Sequence, residues 1–261
     1  MRSLDFFGDE LQLHNLSPKT IEAYYREIAE LVEFFGKPLN SVTNDELKKY
    51  LFGKLDCGYS PHTVSTIINA INFSYREIYR QPFKIDILHP KRPQKVPIVL
   101  TCFEVEKLVN SYENQKHRLL ILFSYVAGLR ISEAVNIKIS DINLQERLLF
   151  VRAGKNKKNR YVIISEDLID EIEVLCVGKT EHDFLFDSQQ GGAITIRHAQ
   201  KIFKEGLIRS GIKKKATFHT LRNSFIIHLF KKGFDVLYVQ GLLGHSVVRA
   251  TQRFYHLKKF S

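Results

Sequence analysis

Four short groupings in this chain carry side chains suited to work on a phosphate. In Phe218-His219-Thr220-Leu221-Arg222, an imidazole and a guanidinium stand three residues apart. That spacing puts a proton carrier and a planar bidentate donor on one helix face. Ala127-Gly128-Leu129-Arg130-Ile131-Ser132-Glu133 sets an arginine just after a glycine turn, with a carboxylate three residues on. Alone, such an i, i+3 pair is more often a surface ion pair than a site. Lys155 lies in the basic run Gly154-Lys155-Asn156-Lys157-Lys158-Asn159 and by itself reads as a solvated turn lysine. Leu242-Leu243-Gly244-His245-Ser246 supplies a second imidazole, and the phenol of Tyr255 comes ten residues after His245, both carried by a short helix beginning near Ser246. The other candidate metal ligands, His182, His198 and His228, are scattered and form no HExxH pattern, so surface or core roles are expected and no metal site.

The charge balance points to the same class of partner. Lys and Arg number 39 against 28 Asp and Glu, a formal charge of +11 on 261 residues. Residues 211–261 hold ten Lys and Arg against the single Asp235, so this stretch carries +9 of the excess. Phe218, Leu221, Phe225, Ile226, Leu229, Val236, Val239, Leu242 and Leu243 lie between those charges at helical spacing, as in a folded basic face and not a tail. A folded basic face fits a polyanion such as DNA. Cys57, Cys102 and Cys176 form no CxxC pair, which argues against a disulfide scaffold and fits a reducing cytoplasm. The chain opens on no signal-peptide core, and its most apolar run, Leu119 to Leu129, is too short to span a bilayer.

The elements that must position these groups divide the chain in two. Residues 1–86 read as a bundle of about four helices. Ser17-Pro18 opens one with Ile21, Tyr24, Ile28, Leu31, Val32 and Phe35 along its apolar stripe, and Gly36 ends it. A capping box, Thr43 to Glu46, starts a shorter helix to Leu51, and Ser60-Pro61 starts the next, with Val64, Ile67, Ile68, Ile71 and Tyr75. Residues 87–98 include three prolines and three cations (His89-Pro-Lys91-Arg92-Pro-Gln-Lys95-Val-Pro97), an extended, stiff linker. Residues 99–261 form the second domain: a capping box at Thr101 to Glu104, helices to about Ile137, a β-hairpin of Leu148–Val151 and Tyr161–Ile164 with a basic tip, and mostly helix from Asp167 on. The fold class is mainly α with a small β-sheet.

Taken together, Gly-Leu-Arg130-Ile-Ser-Glu133, Gly-Lys155, His219-Thr-Leu-Arg222, Leu-Gly-His245 and the late Tyr255 resemble, in order and spacing, the tyrosine recombinases of the phage-integrase and Xer type. Leu16-Ser-Pro-Lys-Thr20 and the proline-rich linker extend the resemblance over nearly the whole chain. The family implies an N-terminal core-binding, SAM-like helical domain and a C-terminal α+β catalytic domain that clamp DNA. Its partners would be a double-stranded recombination site and further copies of the chain in a tetrameric synapse, with a second recombinase or accessory protein in some systems, in the cytoplasm on the nucleoid.

The resemblance also implies roles. Arg130 and Arg222 would bind the non-bridging phosphate oxygens, joined by His245. Tyr255 would attack to give a 3′-phosphotyrosine, helped by His219 as proton acceptor. Lys155 would protonate the leaving 5′ oxygen, and Glu133 would orient Arg130 or His219. Because the phosphotyrosine conserves bond energy, no metal or nucleotide cofactor is expected, and the chain has no GxxxxGK[ST] run. Lys91, Arg92, Lys95, Lys157, Lys158, Arg160, Lys213, Lys214 and Lys215 are the expected further DNA contacts. Many members place the nucleophile nine residues after the Leu-Gly-His histidine, which lands here on Phe254; others place it ten after, on Tyr255. A phenyl ring cannot attack, and Tyr255-His256-Leu257 resembles the family's sequence at and just after its nucleophile, so Tyr255 is the choice. Two departures stand out. Only six residues lie beyond Tyr255, so any exchange of tails between subunits would use a very short segment, and Asn223 stands where relatives often have His. Two other functions share these features: a type IB topoisomerase, which would relax supercoils without site dependence, and a DNA-binding accessory protein that has lost cleavage, which would retard DNA without covalent attachment.

Overall fold

The structure is a computed structural model in which residues 4–14, 16–80, 96–152 and 159–243 are described. The chain divides into two units, residues 1–95 and 96–261, each with its own core.

In the first unit, α1 (Leu4–Leu13), α2 (Pro18–Phe35), α3 (Asn44–Asp56) and α4 (Pro61–Phe73) bury Leu11, Ile28, Leu31, Leu47, Leu51, Val64, Ile67 and Ile71. The start signals act as the local chemistry requires. Ser17 and Ser60 each accept an N–H three residues on, and Thr43 and Glu46 cap reciprocally. Gly36 ends α2 with φ 61°, a left-handed conformation that costs a glycine little. The third helix runs five residues past the expected end at Leu51, and Lys54 in that added turn is ion-paired with Glu30 of α2. After α4 a wide turn, Ser74–Ile78, carries Tyr75 inward, where its hydroxyl donates to the carbonyls of Leu39 and Val42.

The second unit begins at α5 (Cys102–Val109), capped by Thr101 and Glu104, and continues with α6 (Gln115–Val126) and the single turn α7 (Ile131–Ala134). Three antiparallel strands come next in the order β1 (Ile142–Asn143), β2 (Leu148–Val151), β3 (Arg160–Ile163). The hairpin pairs Leu148 with Ile163 and Phe150 with Tyr161. Then come α8 (Ile169–Cys176), α9 (Ile196–Arg209), α10 (Phe218–Lys231) and α11 (Val236–Leu243). Within the mostly helical region after Asp167, residues 177–195 are irregular. Lys179 holds that segment by donating to the carbonyls of Phe184 and Leu185 and to Asp187, while Gly191 and Gly192 take positive φ. Leu119, Leu120, Phe123, Leu149, Phe186, Phe203 and Leu221 lie at the centre of the core.

One strand carries a charge on its buried face. Side chains alternate faces along a strand, so Arg160 shares a face with Val162, and Tyr161 with Ile163. The first face is the buried one: Arg160 is 7% and Val162 3% exposed, against 64% for Tyr161 and 77% for Ile163. The buried carboxylate of Glu133 takes the Arg160 charge, which a surface position would not require.

Candidate active site

The first arginine grouping sits at the junction of α6 and α7. Gly128 closes α6 with φ 56°, and a Cβ there would stand 2.6 Å from the Phe225 ring. Only glycine lets the chain turn this close to α10. Arg130 is the N-cap residue of α7. Its backbone N–H donates to Glu133 Oε2 at 2.8 Å, and its Nη1 donates to Glu133 Oε1 at 2.6 Å. The Arg130 side chain is 21% exposed, so it keeps an open edge.

The second arginine comes from α10, far along the chain. Arg222 is 1% exposed. Its Nη1 donates to the Gly128 carbonyl and its Nη2 to the Leu243 carbonyl at 2.9 Å. One planar fork thus ties the turn before Arg130 to the end of α11, two residues ahead of His245. Arg222 Nη1 also lies 3.7 Å from Glu133 Oε2. Glu133 takes a third guanidinium, Arg160, through Nη1 at 3.2 Å and Nη2 at 2.9 Å. Three cations therefore surround one carboxylate.

The electrostatics reflect that ratio. Burial pushes the Glu133 carboxyl up, but the hydrogen bonds and charge of Arg160, then the hydrogen bonds of Arg130, outweigh it and hold it at about 2. Arg222 moves the other way. Burial, then the charge of Arg130, pushes it down to about 9, with Glu133 opposing. Both groups remain charged at neutral pH, and among the described residues the cluster sets three guanidinium groups against one carboxylate. A phosphodiester is an anion of the size and geometry that paired guanidinium forks accept.

His219 lies in the first turn of α10, exposed, where it lines a depression of about 510 Å³ together with Ile131 of α7, Lys204, Lys215 and Thr217. The imidazole and the residue next to Arg130 thus border one space. The structure brings Arg130, Glu133 and Arg222 together, and Glu133 pairs with arginines. Lys155, Lys157, Lys158, His245, Tyr255, Lys91, Arg92 and Lys95 lie outside the described residues. Lys213 and Lys215 are exposed. Lys214 is also at the surface, but its ammonium donates to the Val99 carbonyl at 2.9 Å and to Glu104 at 2.6 Å, tying α5 to the loop before α10. Arg160, expected on the DNA-facing surface, is buried on Glu133.

Sequence reasoning missed two features of this site. The backbone carbonyls of Gly128 and Leu243 leave no mark in residue type. The pairing of Arg160 with Glu133 links positions 27 residues apart, and only the unusual arginine at the head of an apolar strand signals it. Of the remaining histidines, His182 is exposed, His198 meets His117 edge-on with ring centres 6.0 Å apart, and His228 Nδ1 lies 2.7 Å from the Tyr125 hydroxyl. Among the described residues no group of three or more His, Cys, Asp or Glu could hold a metal ion, and no helix is long and apolar enough to cross a membrane.

Comparison with known proteins matches both units. Residues 99–260 match the phage integrase family, and residues 4–85 match the phage integrase N-terminal SAM-like domain. A tyrosine recombinase of Thermosipho africanus is 32% identical over 272 residues, spanning 97% of this chain and 94% of the relative. Tyrosine recombinase XerA of Pyrococcus horikoshii is 32% identical over 255 residues, spanning 95% and 87%. Among solved structures, that of XerA recombinase is 27% identical with a TM-score of 0.56, covering 97% of this chain and 92% of the other. A lambda integrase dimer bound to a COC′ core site, 21% identical with a TM-score of 0.74 over 97% of this chain and 75% of the other, shares the fold. With family matches over both units and relatives alike over almost their full length, the chain belongs to the phage integrase family as a tyrosine-type site-specific recombinase.

Proposed function

We propose that this recombinase cleaves and rejoins DNA strands through a covalent 3′-phosphotyrosine on Tyr255. The observation that carries the reading is the convergence of Arg130 and Arg222, from separate stretches of chain, on one buried carboxylate. Two fixed guanidinium groups stabilise charge developing on the non-bridging oxygens of a pentacoordinate phosphate, and their rigidity removes the cost of reorganising solvent at that moment. His245 adds a hydrogen bond to the same oxygens. The Tyr255 hydroxyl, with an ordinary phenol pKa near ~10, needs a proton acceptor, which His219 supplies. The Tyr255 oxygen forms the new bond to phosphorus while the bond to the 5′ oxygen breaks, and Lys155 gives that oxygen its proton. Religation reverses each step, so the phosphodiester energy is conserved and no nucleotide is consumed.

The substrate is double-stranded DNA, engaged by both units, with copies of the chain assembled on a recombination site as a tetramer. The similar structures of XerH bound to a difH substrate and of lambda integrase dimers on a core site support a DNA partner and an oligomer on DNA. Lys91, Arg92, Lys95, Lys157, Lys158, Lys213 and Lys215 supply sequence-independent phosphate contacts. Such a substrate fits a protein of the cytoplasm, acting at the nucleoid. The test is a duplex with a nick beside the scissile phosphate, whose short fragment diffuses away after cleavage. A denaturation-resistant protein–DNA adduct is expected with the unaltered chain and none with Tyr255→Phe, at similar DNA affinity. An adduct in the Phe variant would overturn the assignment of the nucleophile, and retarded DNA without adduct in the unaltered chain would overturn cleavage.

A further inference from the structure

Two exposed faces of the second unit carry apolar residues beside charges of opposite sign. We propose that they are the two halves of one contact between copies of this chain: the acidic face of α8 in one copy docks on the apolar, lysine-rimmed face of α11 in the next. The proposal rests on the reading that copies assemble on a DNA site, and it names the surfaces by which they meet.

The first face is that of α11. A helix that is apolar on nearly every side belongs in an interior, and Gln240 and the Tyr238 hydroxyl are the polar groups that α11 has on its side chains. Yet it is covered on one side only. Val239 and Leu243 pack with Ile226 and Phe230 of α10. On the other side Leu237 is 71% exposed, and the exposed rings of Phe234 and Tyr238 stack with centres 4.9 Å apart. A monomer seldom leaves such a stripe to water. Lys231 and Lys232, at the end of α10 and just before this stripe in sequence, are exposed and have no ion pair among the described residues. The acid of this stretch, Asp235, accepts the Tyr238 N–H at 2.8 Å and caps α11.

The second face has the complementary make-up. The chain is basic overall, but residues 166–183 carry seven Asp and Glu against the single Lys179, a formal charge of −6. Glu171 pairs with Arg118 and Glu166 with Arg147. Asp167, Asp170 and Glu173 are exposed and have no ion pair among the described residues. Ile172 anchors α8 in the core, whereas Asp170, Glu173 and Val174 share an outward side at helical spacing, and Val177 just beyond is 80% exposed. Each face thus offers what the other lacks. Opposite charges select the partner and its register, and burial of the apolar residues drives the association. A DNA backbone would take Lys231 and Lys232 but would leave Leu237 and the ring pair in water. Because the contact joins unlike faces, each copy uses both, head to tail, and a closed set of copies leaves neither open.

The experiment uses the full chain and a duplex long enough for two copies. Gel retardation across salt concentrations gives the affinity of the first copy and the cooperativity of the second. Thermal unfolding checks each variant, and since the substituted side chains are exposed it should change little. Reversing either face, by Asp170→Lys/Glu173→Lys or by Lys231→Glu/Lys232→Glu, should lower cooperativity roughly tenfold, the scale of a few surface attractions turned into repulsions. Combining both reversals in one chain should restore it, and so should mixing the two singly reversed chains, because opposite charges then face each other again. Leu237→Ser/Tyr238→Ser, which alters no charge, should lower cooperativity while first-copy affinity and salt slope stay unchanged; this variant carries the test if a charge reversal does not fold. A salt slope reduced by about 2 in Lys231→Glu/Lys232→Glu, with cooperativity retained, would make the lysines phosphate contacts and overturn the proposal. Lost cooperativity that neither combination restores would mean that a different molecule covers these faces, and would overturn it as well. Retarded DNA without cooperativity in the unaltered chain would overturn the contact and leave DNA binding standing. No retarded DNA at all would instead overturn the reading of assembly on DNA, and this proposal with it.

Discussion

At the scale of single residues, the cations of the arginine cluster and of the 211–215 loop separate by what surrounds them. Arg222 is enclosed and makes two carbonyl contacts that position backbone at both ends of the site, whereas Lys215 is exposed beside the depression that His219 lines. Arg222→Ala should therefore reduce adduct formation by at least about 100-fold, as for loss of one preorganised donor, with a smaller effect on affinity. Lys215→Ala should leave cleavage nearly intact and lower the slope of log affinity against log salt by about 1. Equal behaviour in both assays would contradict this division. Lys214 should differ from its neighbours, because its charge is already paired with Glu104. Glu133 makes a prediction about acid. Its folded carboxyl, held at about 2, lies below the usual carboxylate value of 4.5. Its contribution to stability is therefore complete above that value and fades as pH falls towards 2. Urea unfolding at pH 7, 4 and 3 should show this loss in the unaltered chain. In Glu133→Gln the curve should be lower at pH 7 and flatter below pH 4.5.

At the scale of elements, the helix starts were legible because capping chemistry is local. Ser17, Thr43, Ser60 and Thr101 each accept an N–H three residues on, and a short window of sequence contains everything that decides it. Ends and faces were less legible. The continuation of α3 past Leu51 accompanies an ion pair to a residue 24 positions earlier, and the inward turn of Arg160 depends on a carboxylate 27 positions earlier. Gly128 is the element-scale hinge of the site, and its replacement has a calculable cost. Gly128→Ala would impose a left-handed Cβ and overlap the Phe225 ring, together about 2–5 kcal/mol. Denaturant midpoints should record that loss. Adding Phe225→Ala should relieve the overlap but not the backbone term. Full recovery in the double variant would mean that the φ of 56° is not a requirement.

At the scale of the whole molecule, the two units have separate hydrophobic clusters, one within residues 7–79 and the others within residues 99–243. A chain that buries its apolar surface within one unit should fold without the other. A fragment of residues 96–261 should thus unfold in a single cooperative transition with a denaturant slope in proportion to its size. A broad, non-cooperative transition would count against separate cores. The division at residues 95 and 96 falls inside the proline-rich 87–98 stretch. The matches to the phage integrase family, 4–85 and 99–260, leave residues 86–98 between them.

The amino-acid sequence by itself determined where capped helices begin, the summed positive charge, and the family to which the chain belongs. Each of these is written in residue type and short spacing, or in summed charge. Tertiary structure alone decided that three arginines share one glutamate, that Arg160 faces inward, that Lys214 is paired, and that Arg222 is held by the carbonyls of Gly128 and Leu243. Those outcomes depend on burial. Once Glu133 leaves water it must be matched by nearby cations, and which cations are near is a property of the packed chain and not of any segment.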